Sequence, residues 1–357
     1  MKRIISIITA LAVVFSFGTV SQAKSDIMSG GFGDVIRIFD GVYEIISRAI
    51  CSVLEPRNNY AQYGELTAIP ETENGYVPQG FCVSEDGNTF IVSLYHSEKA
   101  SVLAFVDAES GERIKTLNLL KGNGDDFTGH AGGLAQTSGY LYIGNGNSIY
   151  RLSVEEINAL SDGESIKLEE RVAADVKCSF ISTDGEYVYA GEFYSFTFGG
   201  DYDTDKSHHT SVSAFERSYA RCSAYKLSEL NASFDSQQSE TPAPEFMITL
   251  PNRVQGMARD ENGRFILSTS YGRKNDSFML VYENVTEGES DGYVDVKGEE
   301  VPLYFLTESD CTESLRLPPL LEGIDFSSGR VVGIFESGAE KYSDSAFIVN
   351  SICEFVY

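Results

Sequence analysis

Short apolar stretches alternate with polar, glycine-bearing turns along most of this chain, and five phrases repeat almost word for word. They are Gln79-Gly-Phe-Cys-Val-Ser-Glu-Asp-Gly, Gly132-Gly-Leu-Ala-Gln-Thr-Ser-Gly, Cys178-Ser-Phe-Ile-Ser-Thr-Asp-Gly, Gln255-Gly-Met-Ala-Arg-Asp-Glu-Asn-Gly and Glu322-Gly-Ile-Asp-Phe-Ser-Ser-Gly. Each places a tiny residue before a short apolar stretch, then a polar turn ending in Gly, then a second apolar stretch. Alternation of this kind predicts β-hairpins. Five hairpin-led units at blade-sized spacing predict an all-β, five-bladed β-propeller.

The first unit shows the pattern in full. Gly80–Ser84 and Thr89–Leu94 are its strands A and B, and Val102–Val106 and Arg113–Leu119 its strands C and D. The second uses Leu141–Asn145, Ser148–Leu152 and Ile166–Val172, and the third Tyr187–Gly191, Cys222–Leu227 and Phe246–Leu250. The fourth uses Phe265–Thr269, Phe278–Tyr282 and Leu303–Leu306. The fifth has Ile324–Phe326, Arg330–Phe335 and Ser351–Tyr357 but no strand D, and Tyr63–Ile69 is the natural donor. The ring would then close by pairing the two ends of the chain, which removes an exposed strand edge.

Three segments fall outside this pattern. Asp34–Leu54 carries a helical spread of apolar residues and stops before Glu55-Pro56. Ser195–Arg221 is a long polar insertion between strands B and C of the third blade, and Glu287–Glu300 an acidic excursion in the fourth. Ahead of them, Lys2-Arg3, the apolar run Ile4–Val20 and the small-residue exit Ser21-Gln22-Ala23 form the pattern of a cleaved secretory signal peptide over residues 1–23. The expected localisation is therefore secreted, periplasmic or extracellular. Residues 24–62 are expected as an N-terminal helical segment and 63–357 as the propeller domain.

The net charge of −26 becomes −28 once Lys2 and Arg3 are removed. Such a field repels nucleic acid and anionic membranes, and no further long apolar run predicts membrane insertion after cleavage. Cysteines Cys51, Cys82, Cys178, Cys222, Cys311 and Cys353 permit up to three disulfides if exported, with fifteen connectivities in general. Cys178 and Cys222 are the candidate pair.

In a meandering blade the start of strand A and the end of strand B share one face. That face gathers Gln79, Tyr95, His130, Lys177, Glu192, Arg253, Gln255, Tyr271, Glu322 and Glu336. Gln79, Tyr95, Lys177, Arg253, Gln255 and Tyr271 are the candidate ligand-binding residues for a small molecule or glycan. Glu192, Glu322 and Glu336 are candidate catalytic carboxylates, with His130 as proton-transfer or metal-binding partner, should the protein be a glycoside or ester hydrolase. Structural roles are open alternatives: the glutamines bonding neighbouring blades, and Lys177 or Arg253 neutralising the carboxylates. A third reading is a protein-interaction scaffold. In the insertion, Asp201, Asp203 and Asp205 are spaced like the front of a calcium loop, but Lys206 replaces its glycine and Val212 its closing Glu. No nucleophile elbow, phosphate loop or dinucleotide fingerprint is present.

The mature chain resembles exported bacterial β-propellers with degenerate repeats, of the SMP-30/strictosidine synthase-like and quinoprotein-dehydrogenase-like kind. The resemblance rests on the Gln-Gly or Glu-Gly phrases and the Asp-Gly or Asn-Gly turns. It implies the architecture. Those groups include lactonases and other hydrolases with six to eight blades, where this chain offers five and no complete set of metal ligands.

Overall fold

A computed structural model describes residues 37, 38, 40–43, 59–197, 200–213 and 216–357. The signal-peptide reading lies outside these residues. Of the Asp34–Leu54 helix, residues 37, 38 and 40–43 are described, and they are helical.

The five expected blades are present. Their inner strands, Val77–Val83, Gly133–Thr137, Phe180–Thr183, Val254–Arg259 and Leu321–Ser327, pack one against the next and back to the first. The last blade closes as the sequence suggests: Tyr63–Ala68 lies antiparallel to Ser351–Phe355, with Tyr63 opposite Phe355 and Ala68 opposite Ser351. In the second blade the run Tyr140–Ser153 is two strands rather than one. Val154 N–H donates to the Gly139 carbonyl at 2.9 Å, so the ends of the run lie side by side and it folds at Gly146 (φ 57°). A straight strand of that length would hold its ends about 40 Å apart.

In four of the five phrases the tiny residue is a glycine, and it has a steric cause. A Cβ on Gly133 would stand 1.9 Å from the Ile181 backbone nitrogen, one on Gly256 2.9 Å from that of Ile324, and one on Gly323 2.6 Å from that of Phe81. Inner strands of adjacent blades thus touch backbone to backbone, which only a missing side chain permits. Serines that the sequence did not flag strengthen the same seam. Ser93 donates to the Ala131 carbonyl and Ser268 to that of Glu322, both at 2.6 Å. The apolar core lies in layers between blades; Phe81, Val92, Val332 and Ile352, for instance, join the first blade to the last. Asp325 bonds across that same boundary, accepting Val83 N–H at 2.8 Å.

Two outer strands differ from expectation. Residues Leu303–Leu306 do not close the fourth blade; Cys311–Leu317 does, pairing Leu317 with Ser277. Glu299–Tyr304 instead runs parallel to Phe246–Leu250 of the third blade and forms a hairpin with Gly292–Val296, so the acidic excursion contains most of a hairpin. In the second blade, Ser165–Leu168 joins Arg113–Lys121 of the first in parallel, and Glu170–Cys178 is the true outer strand. Both apolar stretches were long enough to be strands, but their partners lie in the preceding blade.

A common rule covers these departures. The segment leading into each blade's outer strand leans back on the outer strand of the blade before. The third blade's segment does so at Ala173 N–H→Ser239 O (2.8 Å), the fifth's at Ala61 N–H→Arg316 O (2.8 Å), and the first's through Thr67 Oγ1→Gly111 O (2.8 Å). Exposed strand edges are thereby covered.

The Cys178–Cys222 disulfide is not formed. Among the described residues Cys82, Cys178, Cys222, Cys311 and Cys353 are all free thiols. Cys178 ends the outer strand of the second blade instead of opening the third, whereas Cys222 lies within the third. Burial, together with the charge each feels from the other and from Asp175, raises the Cys222 pKa well above normal.

Candidate functional site

The blade start positions its polar residues by a repeated backbone kink. Ala131, Arg253 and Leu320 take left-handed conformations (φ 49°, 69° and 69°) just ahead of their inner strands. At two of them the kinked carbonyl accepts from the end of strand B, Ser270 N–H→Arg253 O at 3.0 Å and Glu336 N–H→Leu320 O at 2.9 Å. Non-glycine residues adopt this conformation at a cost, and it tends to mark sites where the chain must aim a side chain.

In the last blade this geometry brings Glu322 and Glu336 together. Both are buried, at 5% and 8% exposure, and their carboxyls hydrogen-bond each other. Such a bond needs a proton between them. Burial and mutual repulsion raise Glu322 well above the usual carboxylate range. Burial also raises Glu336, against the opposing pull of Gln79, the Lys341 charge and Tyr342.

The pair anchors a hydrogen-bond chain running through four blades. Gln255 Nε2 donates to Glu322 Oε1 at 2.8 Å. Gln79 Nε2 donates to Glu336 Oε1 and to the Pro78 carbonyl at 2.7 Å. A carbonyl only accepts, so Pro78 fixes the Gln79 amide and turns its oxygen toward His130. His130 Nδ1, 2.9 Å away, must then donate, which leaves the lone pair on Nε2. The imidazole stacks on Tyr95 at 4.2 Å and 9°, yet the residue is exposed. Lost solvation on its packed side and the nearby Lys341 charge lower the His130 pKa, which favours this neutral form.

Two further residues, missed in the sequence, complete the cluster. Lys341 donates to the Tyr95 hydroxyl, and Tyr342 and Lys341 both act to lower the Glu336 pKa against burial. They sit in a loop after strand B, where no repeat phrase marks them. Arg253 and Tyr271 are neighbours on the same side of the fourth blade, the guanidinium 5.5 Å over the ring.

Glu192 stands apart from the other two glutamates. Its carboxylate takes His208 Nδ1 at 2.9 Å and the backbone N–H groups of Arg221 (3.1 Å) and Lys177 (3.5 Å). The insertion that supplies His208 therefore closes over Glu192. Lys177 contributes its backbone here, while its residue is exposed. The three aspartates are differently engaged. Asp203 pairs with Arg37 at 2.7 Å, Asp205 caps the turn Lys206–His208 by accepting Ser207 N–H at 2.9 Å, and Asp201 is exposed. Among the described residues no group of three His, Cys, Asp or Glu side chains is placed to hold a metal ion.

No family model and no curated protein matches the chain. Among solved structures it is similar to glutaminyl cyclase of Myxococcus xanthus, at 10% identity over 84% of this chain and 97% of that one, with a TM-score of 0.42. It is similar also to a PQQ-bound aldose sugar dehydrogenase from Streptomyces coelicolor, at 14% identity over 81% and 95% with a TM-score of 0.41. The WD40 repeats of RRP9 give 10% identity over 84% and 98% and a TM-score of 0.39. These are likenesses only. They say nothing of this chain's chemistry.

Proposed function

We propose that this protein binds a small polar molecule, a glycan or an amine, at the rim of the propeller channel beside His130 and the Glu322–Glu336 pair. One observation carries the reading: a chain of hydrogen bonds from four blades ends in an exposed imidazole whose Nε2 lone pair is unused. A carboxyl pair sharing one proton uses it internally and offers a ligand acceptor oxygens and a negative charge, which suits hydroxyl or amino groups and opposes anions. Calorimetry with neutral oligosaccharides and small amines tests this. Binding that His130→Ala weakens about tenfold supports the site, a loss of about 1.4 kcal/mol; absence of binding by either class overturns it.

Hydrolysis is the second reading, favoured by the shared proton alone. Glycosidases hold their carboxyls about 5–10 Å apart around the scissile bond. Two glutamates in direct contact leave no such gap, and Glu192 is held elsewhere by His208. Turnover of glycoside or ester substrates that Glu322→Gln abolishes would restore this reading.

A further inference from the structure

A cavity of about 520 Å³ lies between the first and second blades, on the side where their inner strands end. Gln79 and His130 stand at the other end of those strands. The floor of the cavity is apolar, made by the buried side chains of Ile91, Phe105 and Ile157. Its mouth is exposed and polar, and carries Glu85, Asp86 and Asn158. The volume falls within the range of small-molecule pockets, about 300–1,000 Å³.

Its walls are fixed by bonds of their own. The helix Val154–Ala159 contributes one side, and Val154 N–H donates to the Gly139 carbonyl at 2.9 Å. Lys115 Nζ fastens the far end of that helix by donating to the carbonyls of Ile157 (2.6 Å) and Leu160 (2.9 Å). The same ammonium stands 5.7 Å from the centre of the Phe105 ring, so the apolar end already has a positive charge close by. At the mouth, Asp86 accepts from Ser84 Oγ at 2.6 Å and from the Asn88 side-chain amide at 2.9 Å. Those bonds hold its carboxyl below the usual range, and it stays charged. Glu85 makes no hydrogen bond or ion pair among the described residues, so its carboxylate is uncommitted. No described lysine, arginine or histidine lines the cavity.

We propose that this cavity binds an arylalkylammonium ion, with its aryl group on Ile91, Phe105 and Ile157 and its ammonium at the mouth beside Glu85 and Asp86. The apolar floor accepts any aryl group. Only a cation gains from the mouth, and an anion is repelled there. The site is separate from the one beside His130 and does not depend on it.

Calorimetry with tryptamine, its neutral analogue tryptophol and the anion indole-3-propionate tests the assignment on the full chain. Tryptamine should bind, tryptophol about fivefold more weakly, and indole-3-propionate more weakly still. Glu85→Gln should weaken tryptamine by about threefold and leave tryptophol unchanged. Asn158→Trp, which places a bulky ring at the mouth from an exposed helix position, should abolish binding of both; Thr89→Trp is the second blocking variant should the first fail to fold. His130→Ala should change nothing. Absence of tryptamine binding, or equal affinity for tryptamine and tryptophol, overturns the proposal. So does tryptamine binding that survives the blocking variant; if that binding falls with His130→Ala, the amine belongs to the rim site instead.

Discussion

Glu322 and Glu336 meet because Leu321 pairs with Phe335 across the first two strands of the last blade, which sets the flanking glutamates together on one face. The pair shares one proton, and losing it would leave two like charges side by side in a buried place. Both groups titrate higher in the folded chain than in the unfolded one.

The sign of the pH dependence follows. Between the ordinary Glu range and the raised folded values, the native state binds more protons than the unfolded state, so stability falls as pH rises. Asp325, which burial pushes up to about 7, adds to the same trend. The thermal midpoint should fall between about pH 5 and 8, and Glu322→Gln, which mimics the protonated form, should flatten that fall. Each tenfold difference in proton affinity between the two states is worth about 1.4 kcal/mol. A variant whose midpoint tracks the wild type at every pH would show that the pair does not share a buried proton.

Closure predicts a global effect from a terminal deletion. Ser351–Phe355 pairs with Tyr63–Ala68 on one side and with Arg330–Phe335 on the other. Removing residues 351–357 should abolish the cooperative unfolding transition, as followed by circular dichroism. A truncated chain that melts like the full one would contradict the pairing.

Backbone contact between inner strands predicts a contrast among glycines. Gly133→Ala should destabilise by about 2–3 kcal/mol, because its Cβ meets the fixed backbone of Ile181. Gly292→Ala meets nothing within 4 Å and should change stability by less than about 0.5 kcal/mol. Urea denaturation of the two variants measures the difference.

The tiny residues and turns made blade number and ring closure legible in the sequence, because four of the five blades solve the same close contact at the inner strand with a glycine and the third places a serine there. Outer strands were less legible. Glu299–Tyr304 and Cys311–Leu317 both read as strands, and local pattern does not say which blade each will join. At the rim, Gln79, Gln255, His130, Glu322 and Glu336 could be found by aligning the phrases, since the first four stand at or near the start of an inner strand and Glu336 directly follows a strand B. Lys341, Tyr342 and His208 lie in loops of irregular length, where alignment offers no register. Glu192 and Glu336 hold equivalent places in the repeat yet sit in different company, because different loops fold over them.

That separation is itself testable. Among the described residues, the Glu192–His208 pair and the Glu322–Glu336 pair share no hydrogen-bond partner. Glu192→Gln and Glu322→Gln should therefore change unfolding free energy additively, the double variant matching the sum within about 0.5 kcal/mol. A larger discrepancy would mean that the two clusters communicate.

The backward lean of each connector has a consequence for how the molecule comes apart. In a solenoid each repeat rests only on its neighbours, so frayed ends can peel away. Here Ser165–Leu168 belongs by sequence to one blade and by hydrogen bonding to another, and Glu299–Tyr304 repeats the arrangement two blades later. The second and fourth blades cannot loosen without tearing a strand from the one before, and the other three are tied back by hydrogen bonds. The circle therefore has no weakest link from which to unravel, and its parts are expected to persist or fail as one.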